Sequence, residues 1–343
     1  MAYPDLQEAA SAGTLRQLSP SALTPASISA RNASGNTAMH AAAKYGGLPD
    51  LPAALVTAEF LALRNDAGYT PLHHAALGGH LDQVPRELLT RQALLQKSNA
   101  GYTVFHVAAA NGNLGQFAAY LLTDEVFELR TEVGNSVLHE AAENGALDRV
   151  PPGKITGKSL AWRNLAGETV IHTAAFNGHL DQIPRSLLTE ETLAQKTNGG
   201  DTVFHAAAIS GHLEQIPGEL FSHDSLVAAS RSGYTVIHAA AETGQLDRIP
   251  RQLLTADLLL TRNDNGDTPL HAAAFAGHLD QVPQELLTGE RLASRNYERV
   301  TVLQTAIGRG FTDQLPERFR PKPKGAMRRL LHRIGGARLP FSR

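Results

Sequence analysis

Histidine returns every 33 residues without a slip: His40, His73, His106, His139, His172, His205, His238 and His271. One step further in each direction lands on Gln7 and Gln304. Other columns keep this register. Glycine stands six residues after each of these positions, from Gly13 to Gly310, and a hydroxyl recurs at Thr24, Thr57, Thr90, Thr123, Thr156, Thr189, Ser222, Thr255 and Thr288. Proline recurs at Pro52, Pro85, Pro151, Pro184, Pro217, Pro250, Pro283 and Pro316, with Ala118 as the internal exception. A fixed period of this length means one supersecondary unit stacked on copies of itself, since a single unit cannot bury its own apolar face. Length alone suggests two or three compact domains, a prior that fails for an array.

The motif around the histidine reads TPLHHA at Thr70–Ala75 and TPLHAA at Thr268–Ala273, with variants such as TVFHVA and TAMHAA. The pattern resembles the ankyrin repeat. The resemblance covers roughly residues 4–320, as ten units with degenerate ends. It implies an all-α, ankyrin-type helical solenoid with short hairpin-like loops between units. The expected division is an N-terminal capping repeat (1–33), eight internal repeats (34–297), a degenerate last repeat (298–320) and a basic tail (321–343).

The residues supply physical reasons. Thr268 suits a helix N-cap, and Pro269 follows where the missing N–H has no helical partner. Ala273 and Ala274 give a small-residue face, and Gly277 stops the helix in a left-handed conformation. A second helix is expected to start near Leu279–Asp280, with Pro283 in its first turn and Leu286 and Leu287 burying it. The stretch after each threonine, such as LLTEETLAQKTN, departs from the family's usual loop. It predicts a third, short helical turn per unit, near Glu191–Gln195.

The histidine ladder invites a metal or proton-relay reading. The resemblance implies a scaffold role, with each histidine bonding the residue three before it and the backbone of an adjacent turn. Threonine or serine does stand at minus three in all eight units. A zinc site needs several ligands converging on one ion, which one histidine per unit does not provide. His80, His179, His212 and His278 match a family histidine at the inter-helix turn and are also read as scaffold. GKITGKS at Gly153–Ser159 mimics a phosphate loop, but its spacing is one residue short of G-x4-G-K-[ST]. A basic column (Arg31, Arg64, Lys97, Arg130, Arg163, Lys196, Arg262, Arg295) is read as solvated and paired with nearby acids, with polyanion binding as the alternative. No catalytic constellation, metal site or cofactor motif is read, so the chain is expected not to be an enzyme.

By resemblance, a protein partner contacts the hairpin tips and the exposed face of the first helix. The candidates are Tyr69, Tyr102, Tyr234, Asp201 and Asp267 at the tips and Leu77, Phe176, Ile209 and Phe275 on the helix. Aromatics are enriched at interface hot spots; the alternative is local packing between units.

Charge is uneven. Residues 317–343 carry nine Lys/Arg against one acid, while 1–316 carry 22 basic and 32 acidic residues. In the tail, Met327, Leu330, Leu331 and Ile334 fall at i, i+3, i+4 and i+7, which suggests an amphipathic helix over 325–335, with Arg328, Arg329 and Arg333 on the remainder. The tail caps the array, binds an anionic membrane surface or nucleic acid, or docks on the acidic body. With no cysteine, disulfides and thiolate chemistry are excluded. No secretory signal or membrane-spanning run is read, so a cytoplasmic monomer is expected, with export as an effector left open.

Overall fold

The computed structural model describes residues 6–321. The tail residues Arg328, Arg329 and Arg333, and the helix expected over 325–335, lie outside the described residues. The chain divides into two compact units, Met1–Leu188 and Thr189–Arg343. The first carries the repeat helices α1 (Leu6–Ser11), α2 (Ala38–Tyr45), α3 (Pro71–Gly78), α4 (Val104–Ala110), α5 (Val137–Glu143) and α6 (Val170–Phe176). The second carries α7 (Val203–Ser210), α8 (Val236–Thr243), α9 (Pro269–Ala276) and α10 (Val302–Arg309). Within each unit, every repeat helix packs on the next. Among the described residues there is no strand; several hairpins close through single bridges such as Arg130 with Ser136.

The repeat helices α2 to α10 begin as the sequence implies, each after an extended Thr or Ser. Thr268 is extended at the N-cap of α9, Pro269 follows, and His271 takes the third position of a reciprocal capping box. Gly277 ends the helix at φ 88°, where a side chain would be strained. The alanines Ala273 and Ala274 are fully buried, which lets neighbouring helices approach.

The second helix expected near Leu279–Asp280 is absent. Two single 3-10 turns stand there, Leu279–Gln281 and Gln284–Leu286, separated by extended Val282 and Pro283. A proline disfavours helical dihedrals in the residue before it, so a turn that starts at Leu279 cannot run past Val282. Leu279 and Leu287 are buried and Leu286 half-buried, so the segment packs without a continuous helix. Ala118 shows that the break does not depend on proline. It keeps φ −61° and ψ 138° between the turns Leu114–Gln116 and Ala119–Leu121.

The third helical turn is present at Glu190–Leu193, capped by Thr189, whose hydroxyl oxygen accepts the Thr192 N–H. Thr57, Thr90, Thr156, Ser222 and Thr288 cap their own short helices alike. After Thr255 the turn tightens to a 3-10 segment, Leu258–Leu260. No helix among the described residues is long and apolar enough to cross a membrane.

Candidate functional site

The histidines are spent on structure. In His73, Nδ1 accepts the Thr70 N–H at 3.1 Å and meets Thr70 Oγ1 at 2.8 Å. Nε2 then donates to the Tyr102 carbonyl at 3.0 Å, 29 residues on. His40, His139, His205, His238 and His271 repeat this reach to Tyr69, Glu168, Tyr234, Asp267 and Val300, while His106 reaches the Leu129 carbonyl. His172 holds Thr169 Oγ1 at 2.6 Å in the same way. The accepted N–H fixes the tautomer, and in the seven rings that bond a carbonyl through Nε2 no lone pair is left for a metal. Burial holds His73, His106, His139 and His238 neutral, with pKa values lowered to about 4.

Two further ladders tie repeats together. Gln182 accepts the Leu147 N–H at 2.9 Å and donates to the Gly145 carbonyl at 3.0 Å. Gln116, Gln281 and Gln314 clamp the preceding repeat likewise. Where Arg248 replaces the glutamine, Gln245 bonds the Leu213 N–H and the Ala208 carbonyl instead. The glutamine recurs in register, within Leu-Asp-Gln at 180–182 and 279–281 and within Leu-Gly-Gln and Thr-Asp-Gln at 114–116 and 312–314. The basic column departs from the expected pairing with acids. Arg31, Arg64, Lys97 and Arg262 donate to carbonyls 33 residues on. Arg31 adds an ion pair of the expected kind, to Asp66 at 2.7 Å. Bonded this way, these four side chains are part of the frame. The lysines of the false phosphate loop face carboxylates: Lys154 lies 2.6 Å from Asp124 and Lys158 3.8 Å from Glu128. His80, His179 and His278 sit against the capping glycines Gly46, Gly145 and Gly244 of the preceding repeat.

The candidate partner-binding residues fall in both units. Tyr69, Leu77, Tyr102 and Phe176 belong to the first; Asp201, Ile209, Tyr234, Asp267 and Phe275 belong to the second. Leu77, Phe176 and Ile209 stand out from the repeat helices at 38%, 53% and 40% exposure. Phe275 is half-buried beneath the Arg309 guanidinium, 4.0 Å from its ring centroid. The three tyrosines are half-buried at the hairpin base, not at its tip, because their carbonyls receive the strut histidines. Tyr69 packs edge-on to His73 at 5.4 Å and lies 6.4 Å from Tyr102. Tyr234 donates to Glu242.

Asp267 is a correction. It is 2% exposed, with Oδ1 accepting the Asn296 amide at 2.8 Å, so a partner cannot read it. The same column pairs Asn36 with Asn65 and Asn135 with Asn164. The true tips lie two to three residues earlier, where the carbonyl of Val133 accepts the Leu165 N–H at 3.0 Å. Val133, Leu165 and Tyr297 are 58%, 73% and 71% exposed there. An apolar residue inside a polar turn was the signal for them.

One carboxylate on the repeat-helix face of the first unit is unusual. Glu140 is buried, accepts the Asn135 amide at 3.1 Å, and its pKa is raised to about 7 by burial, with Glu143 adding to the effect. Burial and the nearby Glu140 raise the Tyr102 phenol as well.

The family model for ankyrin repeats matches residues 6–91 and 219–296, one stretch in each unit. No curated protein matches the chain.

Proposed function

Because the chain belongs to the ankyrin-repeat family, we propose that it is a non-enzymatic scaffold that binds a protein partner on the repeat-helix faces and hairpin tips. Ankyrin repeats generally serve as protein-interaction modules, and the family is typically non-enzymatic. One observation carries the reading here. The in-register columns are consumed by bonds between repeats, yet Leu77, Phe176 and Ile209 stay exposed on the helices those bonds hold still. Large apolar side chains on a rigid frame are the anchors that hot spots are made of, because little ordering entropy is left to lose on binding. Leu165 and Val133 extend the apolar surface to the tips. Recognition on this reading is by shape and apolar burial, and it needs no bond to be made or broken.

A photo-crosslinking amino acid placed singly at Leu77, Phe176 or Leu165 tests this, with Tyr120 as an exposed control on a different turn. The reading expects one protein to be captured from the first three positions and not from Tyr120. Capture from Tyr120 alone, or from none, contradicts it.

A further inference from the structure

The outward flank of α10 differs from that of the earlier helices in its unit. Two positions after the cap, Phe204, Ile237 and Leu270 are fully buried, whereas Leu303 is half-exposed. Four residues on, Ala208, Ala241 and Ala274 are fully buried, whereas the larger Ile307 is half-exposed.

A polar mismatch accompanies the apolar one. His205, His238 and His271 each use Nε2 to hold the following repeat. Gln304 stands at the same position. Its Oε1 accepts the Thr301 N–H at 2.9 Å, as a strut Nδ1 does, but its amide nitrogen has no partner among the described residues. At the other end of the array, Gln7 puts the same nitrogen on the Asn36 carbonyl at 2.8 Å. So α10 presents two aliphatic side chains and a strut-type donor on the side where each earlier helix of its unit meets a neighbour.

We propose that residues 322–343 of this chain cover that flank, seating Met327, Leu330, Leu331 and Ile334 against Leu303 and Ile307. The segment starts where it is needed. Arg320 bonds the Leu315 carbonyl at 2.8 Å and the Asp313 carbonyl at 2.7 Å, which ties the chain to the terminal repeat one residue before Pro321. Twenty-two residues reach about 33 Å as a helix and farther if extended, ample for a neighbouring helix face. Spacing of i, i+3, i+4 and i+7 offers one apolar stripe, and one helix is what the flank lacks. Charge agrees. The segment holds seven Lys/Arg and no acid, and exposed Glu298, Asp313 and Glu317 lie in the terminal repeat.

The cysteine-free chain makes the test direct. Full-length protein carrying Ile307→Cys with Leu331→Cys is oxidised under native conditions beside Ile307→Cys with Arg329→Cys. Capping predicts that the first pair forms an intrachain disulfide roughly tenfold faster. It also predicts that Leu330→Ser with Ile334→Ser raises amide exchange in Val302–Arg309 by about tenfold or more. Equal disulfide rates together with unchanged exchange overturn the proposal. So does protection of the segment by phosphatidylserine vesicles when the serine pair leaves α10 exchange unaltered, since the segment then serves a membrane surface.

Discussion

His238 Nε2 lies 3.0 Å from the carbonyl oxygen of Asp267, the residue just before the N-cap of the next repeat helix. The ring also holds its own N-cap, Thr235, through Nδ1 at 2.6 Å from Oγ1 and 3.3 Å from the backbone N–H. One imidazole thus caps one helix and fixes the entry to the next. Lost bonds of this kind leave buried donors and acceptors unpaired, which costs more than the bonds contribute.

Replacing one strut is therefore expected to be severe and partly repairable. His106→Ala should cost about 2–4 kcal/mol through a cavity and unpaired backbone groups. His106→Gln should recover at least half, because Gln7 and Gln304 already serve at this position. Urea unfolding of both variants checks the order; equal losses would argue that ring volume, not bonding, matters.

The struts also set an acid limit. Their folded pKa values near 4 lie below the unfolded value of 6.5, so the unfolded chain binds more protons in between. Stability from this source is complete above about pH 6.5 and falls as pH drops toward 4. Urea midpoints measured from pH 7 to 4 should decline steadily, and a flat profile counts against neutral buried rings.

Glu140 acts with the opposite sign. Its folded pKa of about 7 lies above the ordinary glutamate value of about 4.5. The chain is penalised as pH rises from 4.5 through 7, when the buried carboxyl must ionise. Glu140→Gln should therefore gain on the order of 1–3 kcal/mol relative to the parent at pH 8 and little at pH 5. Thermal melts at the two pH values separate this from a general packing effect, which would be independent of pH.

Ala118→Pro should stabilise. The site already has φ −61° and ψ 138°, the preceding Phe117 is extended, and the Ala118 N–H has no acceptor among the described residues. Restricting the unfolded chain there is worth about 0.4–1 kcal/mol. A lower melting temperature would mean that the backbone at Ala118 is not proline-like.

Most of the frame was legible because it repeats. Period, caps and the third helical turn follow from columns in which one residue type recurs, while the strut bonds are what the family resemblance implies. The second helix was misread because Pro283 suits a first turn only if the helix starts beside it, and the turn starts four residues earlier, at Leu279. Asp267 departs from the expected tip because Asn296 of the next repeat binds its Oδ1 and both are buried, a pairing visible only in the stack. The motif does not mark Leu165 and Val133, because their exposure is set by how hairpins bond to one another.

The account rests on anchors held out by a rigid frame. Its most direct test is the affinity of the partner captured at Phe176 for Leu77→Ser with Phe176→Ser, measured at low and high salt beside His106→Gln. The double variant should weaken binding by about a hundredfold, the two anchors supplying roughly 1–2 kcal/mol each, with little salt dependence and an unchanged melting temperature. His106→Gln should bind like the parent. Affinity unmoved by the double variant, or lost mainly through added salt, would contradict the account.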